Sequence, residues 1–201
     1  MKIYGSIIKW SRDCRPRWVL NELGIPFETI DGNLFGADKP ADLLALNPLG
    51  RVPTMVDGDI SAHESGALVT YLAETYGADK LVPPAGGQRA LYYQWIFFAA
   101  ATLEPPSVQI LVNGNMLKDA DGAKERLAEG KKSFHALTPA LLPALEKGPY
   151  VLGDRFTAAD IMIGSTLHWA WMGMGLAEYP ALERYHKLVS ERPAFKATFG
   201  T

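Results

Sequence analysis

The chain has 201 residues, enough to bury a substantial core as one large domain or two small ones. Charged residues make up 21% of it and the formal net charge is −2, which excludes the electrostatic footprint of a nucleic-acid or polyanion binder. The single cysteine, Cys14, excludes an internal disulfide and any multi-cysteine metal site, and fits a reducing, cytoplasmic setting.

In chain order, MKIYGSIIKW runs directly into a strand pattern over 2–6 without a long apolar stretch or a small-residue cleavage site, so no secretory signal is expected. A helix over 15–23, stopped by Gly24 and Pro26, leads to a second strand over 27–30. A short helix over 41–46 follows. Residues 54–63 read as a hairpin: an apolar strand over 54–56, Asp57-Gly58 as the two-residue turn, and Ile60 opening the return strand. Glu64-Ser65 then begins an amphipathic helix that reaches Tyr76. The order βαβ-α-ββα, with a right-handed crossover between the first two strands and an antiparallel hairpin added, predicts a four-stranded mixed sheet in an α/β thioredoxin-like domain over 1–76. The segment 77–87, GADKLVPPAGG, is dense in chain-punctuating residues and reads as a linker.

From 88 to 201 apolar residues recur at helical spacing and no strand-like alternation remains, which predicts an all-α helical bundle domain. Leu91, Trp95, Phe98 and Thr102 share one face of a helix over 89–103 that Pro105-Pro106 should end or kink. The longest apolar run, at 90–103, is interrupted by Gln94 and falls short of a membrane span. Pro139 and Pro143 lie inside a helical region over 123–145, so a break or restart is expected near Thr138. Thr157 and Asp160 are spaced as a capping box, with Phe156 and Ile161 as its hydrophobic staple, a structural motif and not a catalytic one. The four histidines are scattered and imply no metal.

Two segments carry chemistry. In NPLGRVPTMVDGDISAHES, at 47–65, Val52-Pro53 is a candidate cis bond, which would turn the Val52 N–H and C=O sideways to where a ligand backbone can pair with them. Ser65, with the first N–H groups of its helix, suits a carboxylate. The combination describes a pocket for a small peptide. In Ser11-Arg12-Asp13-Cys14-Arg15, a serine hydroxyl beside a helix N-terminus is suited to stabilising a thiolate, although serine in that position also serves as a plain helix cap. Tyr4, inside the strand, reads as core. Cys14 reads as a small buried hydrophobe or as a thiol for a mixed disulfide, and Arg12 and Arg15 as solvated first-turn residues or as positive potential near the ligand.

The N-P-x-x-x-V-P and E-S series of 47–65 resembles that of the soluble glutathione transferases. GDRFTAADI at 153–161 and AEYPALERYHKLVSERPAF at 177–195 extend the likeness over nearly the whole length, and S-x-x-C-R at 11–15 resembles theta- and delta-like serine-type members. The resemblance implies a glutathione S-transferase of the detoxifying kind, using glutathione as co-substrate and attacking a small electrophile; the alternatives are a non-catalytic ligand-binding or regulatory protein of the same fold, or a cysteine-type glutathione-dependent disulfide reductase. It makes Ser11 the catalytic hydroxyl, with Cys14 as the alternative. It assigns Val52 and Pro53 to the cysteinyl backbone of glutathione, Glu64 and Ser65 to its γ-glutamyl end, and Arg51 and Lys39 to its glycyl carboxylate. Trp10, Leu103, Trp169 and Met172 are the implied apolar lining for the second substrate, and Glu104 is a helix-end carboxylate facing solvent or the pocket. A homodimer is implied, with the sheet domain of one subunit against the helical domain of the other; nucleic acid, membrane and metal are not.

Overall fold

The computed structural model describes residues 1–32 and 39–200. Position 201, the end of the expected helical domain, and positions 33–38, inside the expected sheet domain, lie outside the described residues. The chain divides into two compact units, Met1–Leu81 together with Arg192–Thr201, and Val82–Glu191.

The first unit is built on strands β1 (Lys2–Ser6), β2 (Glu28–Gly32), β3 (Thr54–Asp57) and β4 (Ile60–His63), in the order β2-β1-β3-β4. β1 and β2 are parallel, as a helical crossover requires, while β3 runs antiparallel to both β1 and β4. The expected mixed sheet is therefore present. Its hairpin turn is one residue later than expected: Asp57 pairs with Ile60, leaving Gly58-Asp59 as the turn. The reason is Asp57 itself, whose Oδ2 accepts the hydroxyls of Tyr71 (3.0 Å) and Tyr76 (2.5 Å) and so keeps that residue in the strand.

Helices α1 (Cys14–Leu23), α2 (Ala41–Leu46), α3 (Ser65–Tyr76) and the short α4 (Ala78–Leu81) complete the run to Leu81. α1 buries Trp18, Val19 and Leu20, packs beside α3, and ends at Gly24 in the left-handed conformation, φ 66°. The outer face of α1 is covered by α10 (Pro193–Phe199), a segment that the sequence pattern assigns to the helical domain over 88–201. Trp18 meets Phe195 and Phe199 edge-on, at ring-centroid distances of 4.9 and 6.1 Å. Arg192 clasps Glu22 with two bonds of 2.6 and 2.7 Å, and Asn21 Nδ2 donates to Thr198 Oγ1 at 2.8 Å.

The second unit is helical. α5 (Gly87–Phe97) and α6 (Glu104–Leu111) are joined by a π-helical stretch, Phe98–Leu103, and a second π stretch, Val112–Met116, follows. Pro105-Pro106 therefore do not end the helix. They fall in the first turn of α6, just after the widened π segment, which closes with Glu104 N–H bonded to Ala99 O. The resulting helix, Gly87–Met116, is by length and composition apolar enough to cross a membrane, which the run at 90–103 alone is not; half of its most apolar window is buried inside the fold.

α7 (Ala123–Glu146) is also continuous through Pro139 and Pro143, against the expected break near Thr138. α8 (Ala158–Met174) is the central helix, buried from Ala158 to Ala170, and α9 (Pro180–Ser190) packs beside it. Close approach is enforced by small residues: a Cβ on Gly114 would lie 2.0 Å from Gly173 O, and one on Gly173 would lie 2.3 Å from Ile110 O. The capping box forms at the start of α8, where buried Asp160 accepts Thr157 N–H (2.8 Å), Val151 N–H (3.0 Å) and the Tyr185 hydroxyl (3.0 Å). Two of the histidines are not scattered: His168 Nδ1 and His186 Nε2 are 3.0 Å apart, stacked beneath Trp171. Among the described residues no group of three or more His, Cys, Asp or Glu is placed to hold a metal.

Candidate functional site

The sheet register brings three loops to one end of the first unit. Tyr4 pairs with Thr54, and Thr54 with His63, so the end of β1, the start of β3 and the end of β4 lie side by side. From that edge emerge the loop leading to α1, the 47–53 loop entering β3, and the step from β4 into α3. These carry Ser11, Val52 with Pro53, and Glu64 with Ser65. The Val52-Pro53 bond is cis.

The 47–53 loop is pinned by Asn47, buried at its start. Asn47 Nδ2 donates to Arg51 O (3.1 Å) and Thr54 Oγ1 (3.2 Å), and its Oδ1 accepts Leu49 N–H (3.1 Å). Thr54 Oγ1 also donates to Arg51 O at 2.9 Å. Arg51 is an exposed residue. Lys39 is engaged in the loop itself, its Nζ donating to Gly50 O (2.7 Å) and Leu49 O (3.3 Å), which makes it a brace for this loop as well as a cation beside it.

At the start of α3, Glu64 is the one described non-glycine residue with positive φ, 74°. That conformation strains an L-residue, and here it swings the chain from β4 into the helix while Glu64 O accepts the first helical bond, from Leu68 N–H at 3.0 Å. The hydroxyl of buried Ser65 accepts from Arg15 Nη1 at 3.0 Å, so its own proton is left to donate. Arg15 is not a solvated first-turn residue: it is 1% exposed, while Arg12 beside it is exposed. The bond to Ser65 ties the first turn of α1 to the first turn of α3, bringing two helix N-termini to the same place.

The first loop turns through Ser11 N–H to Ile8 O (2.9 Å) and Cys14 N–H to Ser11 O (2.9 Å). The Ser11 hydroxyl does not cap α1; it donates to Asp13 Oδ1, and no side-chain cap is made at that helix start. Asp13 is wholly buried, and burial pushes its carboxyl up to about 6 despite Arg17. Arg17 Nη2 stands 2.8 Å from Asp13 Oδ2, an ion pair whose angle falls short of a hydrogen bond, and Arg17 also pairs with Asp31. Cys14 has no exposed surface. Tyr4 is buried, its hydroxyl donating to Asp42 Oδ2 at 3.1 Å.

The residues expected to line a second pocket differ in what they offer. Trp10 in the first unit and Met172 in the second are part-exposed, whereas Leu103 and Trp169 are buried at 0 and 2% exposure. Glu104 is buried too, which excludes the solvent-facing one of its two readings. Sequence reading missed Asp13 altogether. Its one signal was a carboxylate in the N-cap position of a helix whose cap had been assigned to Ser11.

Known proteins match both parts of the chain. Residues 12–80 match the family model for the glutathione S-transferase N-terminal domain, and residues 124–188 that for the C-terminal domain. The chain is 30% identical to glutathione S-transferase Z2 of Arabidopsis thaliana, across 98% of the chain and 89% of the relative. It is 32% identical to glutathione S-transferase GstB of Escherichia coli K12, across 88% and 87%. Among solved structures, the theta class glutathione S-transferase of Xanthomonas axonopodis pv. citri, crystallised with glutathione bound, superposes with a TM-score of 0.86 at 31% identity, covering 100% of this chain and 97% of that one. The chain belongs to the glutathione S-transferase family.

Proposed function

We propose that this chain is a serine-type glutathione transferase, which binds glutathione at the sheet edge of its first unit and presents the sulfur as thiolate to a small, apolar electrophile. The observation that carries the reading is the convergence of Ser11, Val52-Pro53 and Glu64-Ser65 on one end of one sheet. Val52 pairs with the cysteinyl backbone. Ser65, already accepting from Arg15, donates to the γ-glutamyl carboxylate, and Glu64 takes the γ-glutamyl ammonium. Arg51 faces the glycyl carboxylate, with Lys39 behind it through the loop carbonyls. Ser11 is the group nearest in kind to what a thiolate needs, a hydroxyl beside a helix start.

Burial argues against the alternative in which Cys14 forms a mixed disulfide, since a reactive thiol needs both access and an ionising environment. The discriminating experiment is a glutathione titration of the wild type, Ser11→Ala and Cys14→Ala, following bound-thiolate absorbance against pH and turnover on aryl halides, epoxides, peroxides and mixed disulfides. Ser11→Ala should retain glutathione, ionise it at higher pH and conjugate about tenfold to a hundredfold more slowly, the loss of one charge-assisted hydrogen bond. Cys14→Ala should be nearly silent. A wild-type thiolate titration in Ser11→Ala removes the serine from this role.

The same reading includes a cytoplasmic, detoxifying role and a homodimer. Phe97 and Leu91 on α5, 67% and 45% exposed, are apolar surface that an assembled state would cover. Sedimentation at micromolar concentration that gives only monomer contradicts the dimer.

A further inference from the structure

The Ser11 hydroxyl is the outer end of a hydrogen-bonded chain that runs into the protein. Ser11 Oγ donates to Asp13 Oδ1, which also accepts Ser6 N–H at 3.3 Å, and the other carboxylate oxygen faces Arg17 at 2.8 Å. β1 makes room for this group: a Cβ on Gly5 would stand 1.9 Å from Arg17 Nη2 and 2.5 Å from Asp13 Oδ2. Aspartate at a helix N-cap ordinarily accepts N–H groups of the first turn. Asp13 occupies that position and makes no such bond, its carboxylate turned to the loop instead.

A serine hydroxyl has one proton and two lone pairs. With the proton given to Asp13, Ser11 meets a ligand thiol as acceptor, so as it stands it cannot donate to a thiolate. We propose that Asp13 is the terminal acceptor of the glutathione thiol proton, drawn inward through Ser11; this rests on the reading of Ser11 given above. The S–H bond breaks, leaving its electron pair on sulfur, as an O–H bond forms on Ser11 Oγ. The original Ser11 O–H bond breaks as a new one forms on Asp13 Oδ1. The chain S–H···Oγ–H···Oδ1⁻ becomes S⁻···H–Oγ···H–Oδ1, so both hydrogen bonds survive and Ser11 finishes as the donor that the thiolate requires. One proton has moved from sulfur to Asp13, and one negative charge from carboxylate to sulfur. Asp13 acts through Ser11 and is a positioning residue.

The surroundings lessen the cost of the transfer. Burial raises the Asp13 carboxyl to about 6, Arg17 and Ser6 N–H oppose the rise, and Asp31 on β2, which shares Arg17, adds to it. A carboxylate of that basicity lies closer to a thiol's ordinary value of about 8.5 than a solvated one does. It is also still ionised at neutral pH, as the acceptor must be.

The test is the pH profile of kcat/KM, read first in the wild type, which needs no variant to fold. In the wild type it should fall as pH drops through about 6. In Asp13→Asn that limb should move up toward the thiol's own ionisation, with about a hundredfold loss at neutral pH. The double variant Ser11→Ala/Asp13→Asn should be no worse than the more damaged single one, as for groups acting in series. If Ser11→Ala ionises the thiol like the wild type, the serine reading fails and the relay with it. If Ser11→Ala shifts the thiolate while Asp13→Asn keeps the wild-type profile, the relay alone is overturned.

Discussion

Arg15 and Ser65, fifty positions apart in sequence, are joined by a buried 3.0 Å hydrogen bond between a guanidinium on the first turn of α1 and a hydroxyl on the first turn of α3. The bond does two things at once. It holds two helix starts at one sheet edge, and it occupies a Ser65 lone pair so that the hydroxyl proton points elsewhere.

Arg15→Met keeps much of the buried stem and removes the charged donor. A hydrogen bond to a charged group contributes about 1.5–3 kcal/mol, and denaturant midpoints should fall by that order. Glutathione affinity should fall as well, because the Ser65 hydroxyl is then free to rotate. Calorimetric titration of a folded Arg15→Met protein with unchanged affinity contradicts the orienting role.

Thr138 explains why α7 survives a proline. Pro139 lacks the N–H that His135 O would have accepted in a regular helix, and Thr138 Oγ1 donates to that carbonyl at 2.9 Å. Thr138→Val should cost about 1 kcal/mol, the net value of a typical hydrogen bond. In a Pro139→Ala background the same change should cost markedly less, since the backbone donor is restored. Equal costs in the two backgrounds, measured by urea unfolding, contradict the substitution of one donor for the other.

Asp160 makes stability depend on pH with a definite sign. Burial raises its folded carboxyl to about 6 from 3.8, against the bonds from Val151, Thr157 and Tyr185, so the folded state holds the proton more tightly than the unfolded chain does. Its protonation therefore stabilises the fold below the unfolded value, and that contribution is lost as pH rises to about 6. Asp160→Asn should be less stable at neutral pH, having lost a capping acceptor, yet flatter across that window. Parallel stability curves for the two proteins, the Asp13 titration being common to both, contradict the assignment.

Glu64 sits at φ 74° in the only such conformation taken by a described non-glycine residue. Backbone strain of this kind costs about 1–3 kcal/mol, and glycine relieves it at an entropic cost of up to about 1 kcal/mol. Glu64→Gly should be as stable as the wild type or more so, and should bind glutathione more weakly for want of the carboxylate. A large loss of stability with retained affinity inverts the prediction.

What was legible in the sequence was local. The Val52-Pro53 bond, the Glu64-Ser65 helix start and the Thr157–Asp160 box each lie within a few residues, so chain geometry alone brings their parts together. What was illegible depended on distant partners or on compensation. Asp57 extends its strand because two tyrosines on α3 reach it, and Arg15 is buried because Ser65 lies where its guanidinium arrives. Pro105 and Pro139 looked like helix breakers because proline removes a donor; a π segment in one case and a threonine hydroxyl in the other absorb the loss. Asp13 was passed over because a carboxylate beside a helix start has an ordinary use, and only its burial shows that the use is declined.

The return of residues from Arg192 onward to α1 makes the first unit discontinuous in sequence, with the whole helical unit inserted between its parts. A ribosome therefore finishes the sheet, α1 and the entire insert before the aromatic cover of Trp18 exists. Until Phe195 and Phe199 arrive, the outer face of α1 is unburied and its Glu22 lacks Arg192. The candidate-site loops are thus made before the insert but rest on a unit that is completed only by residues made after it, so a nascent chain stopped before Arg192 should carry its site residues on a unit whose core is still open.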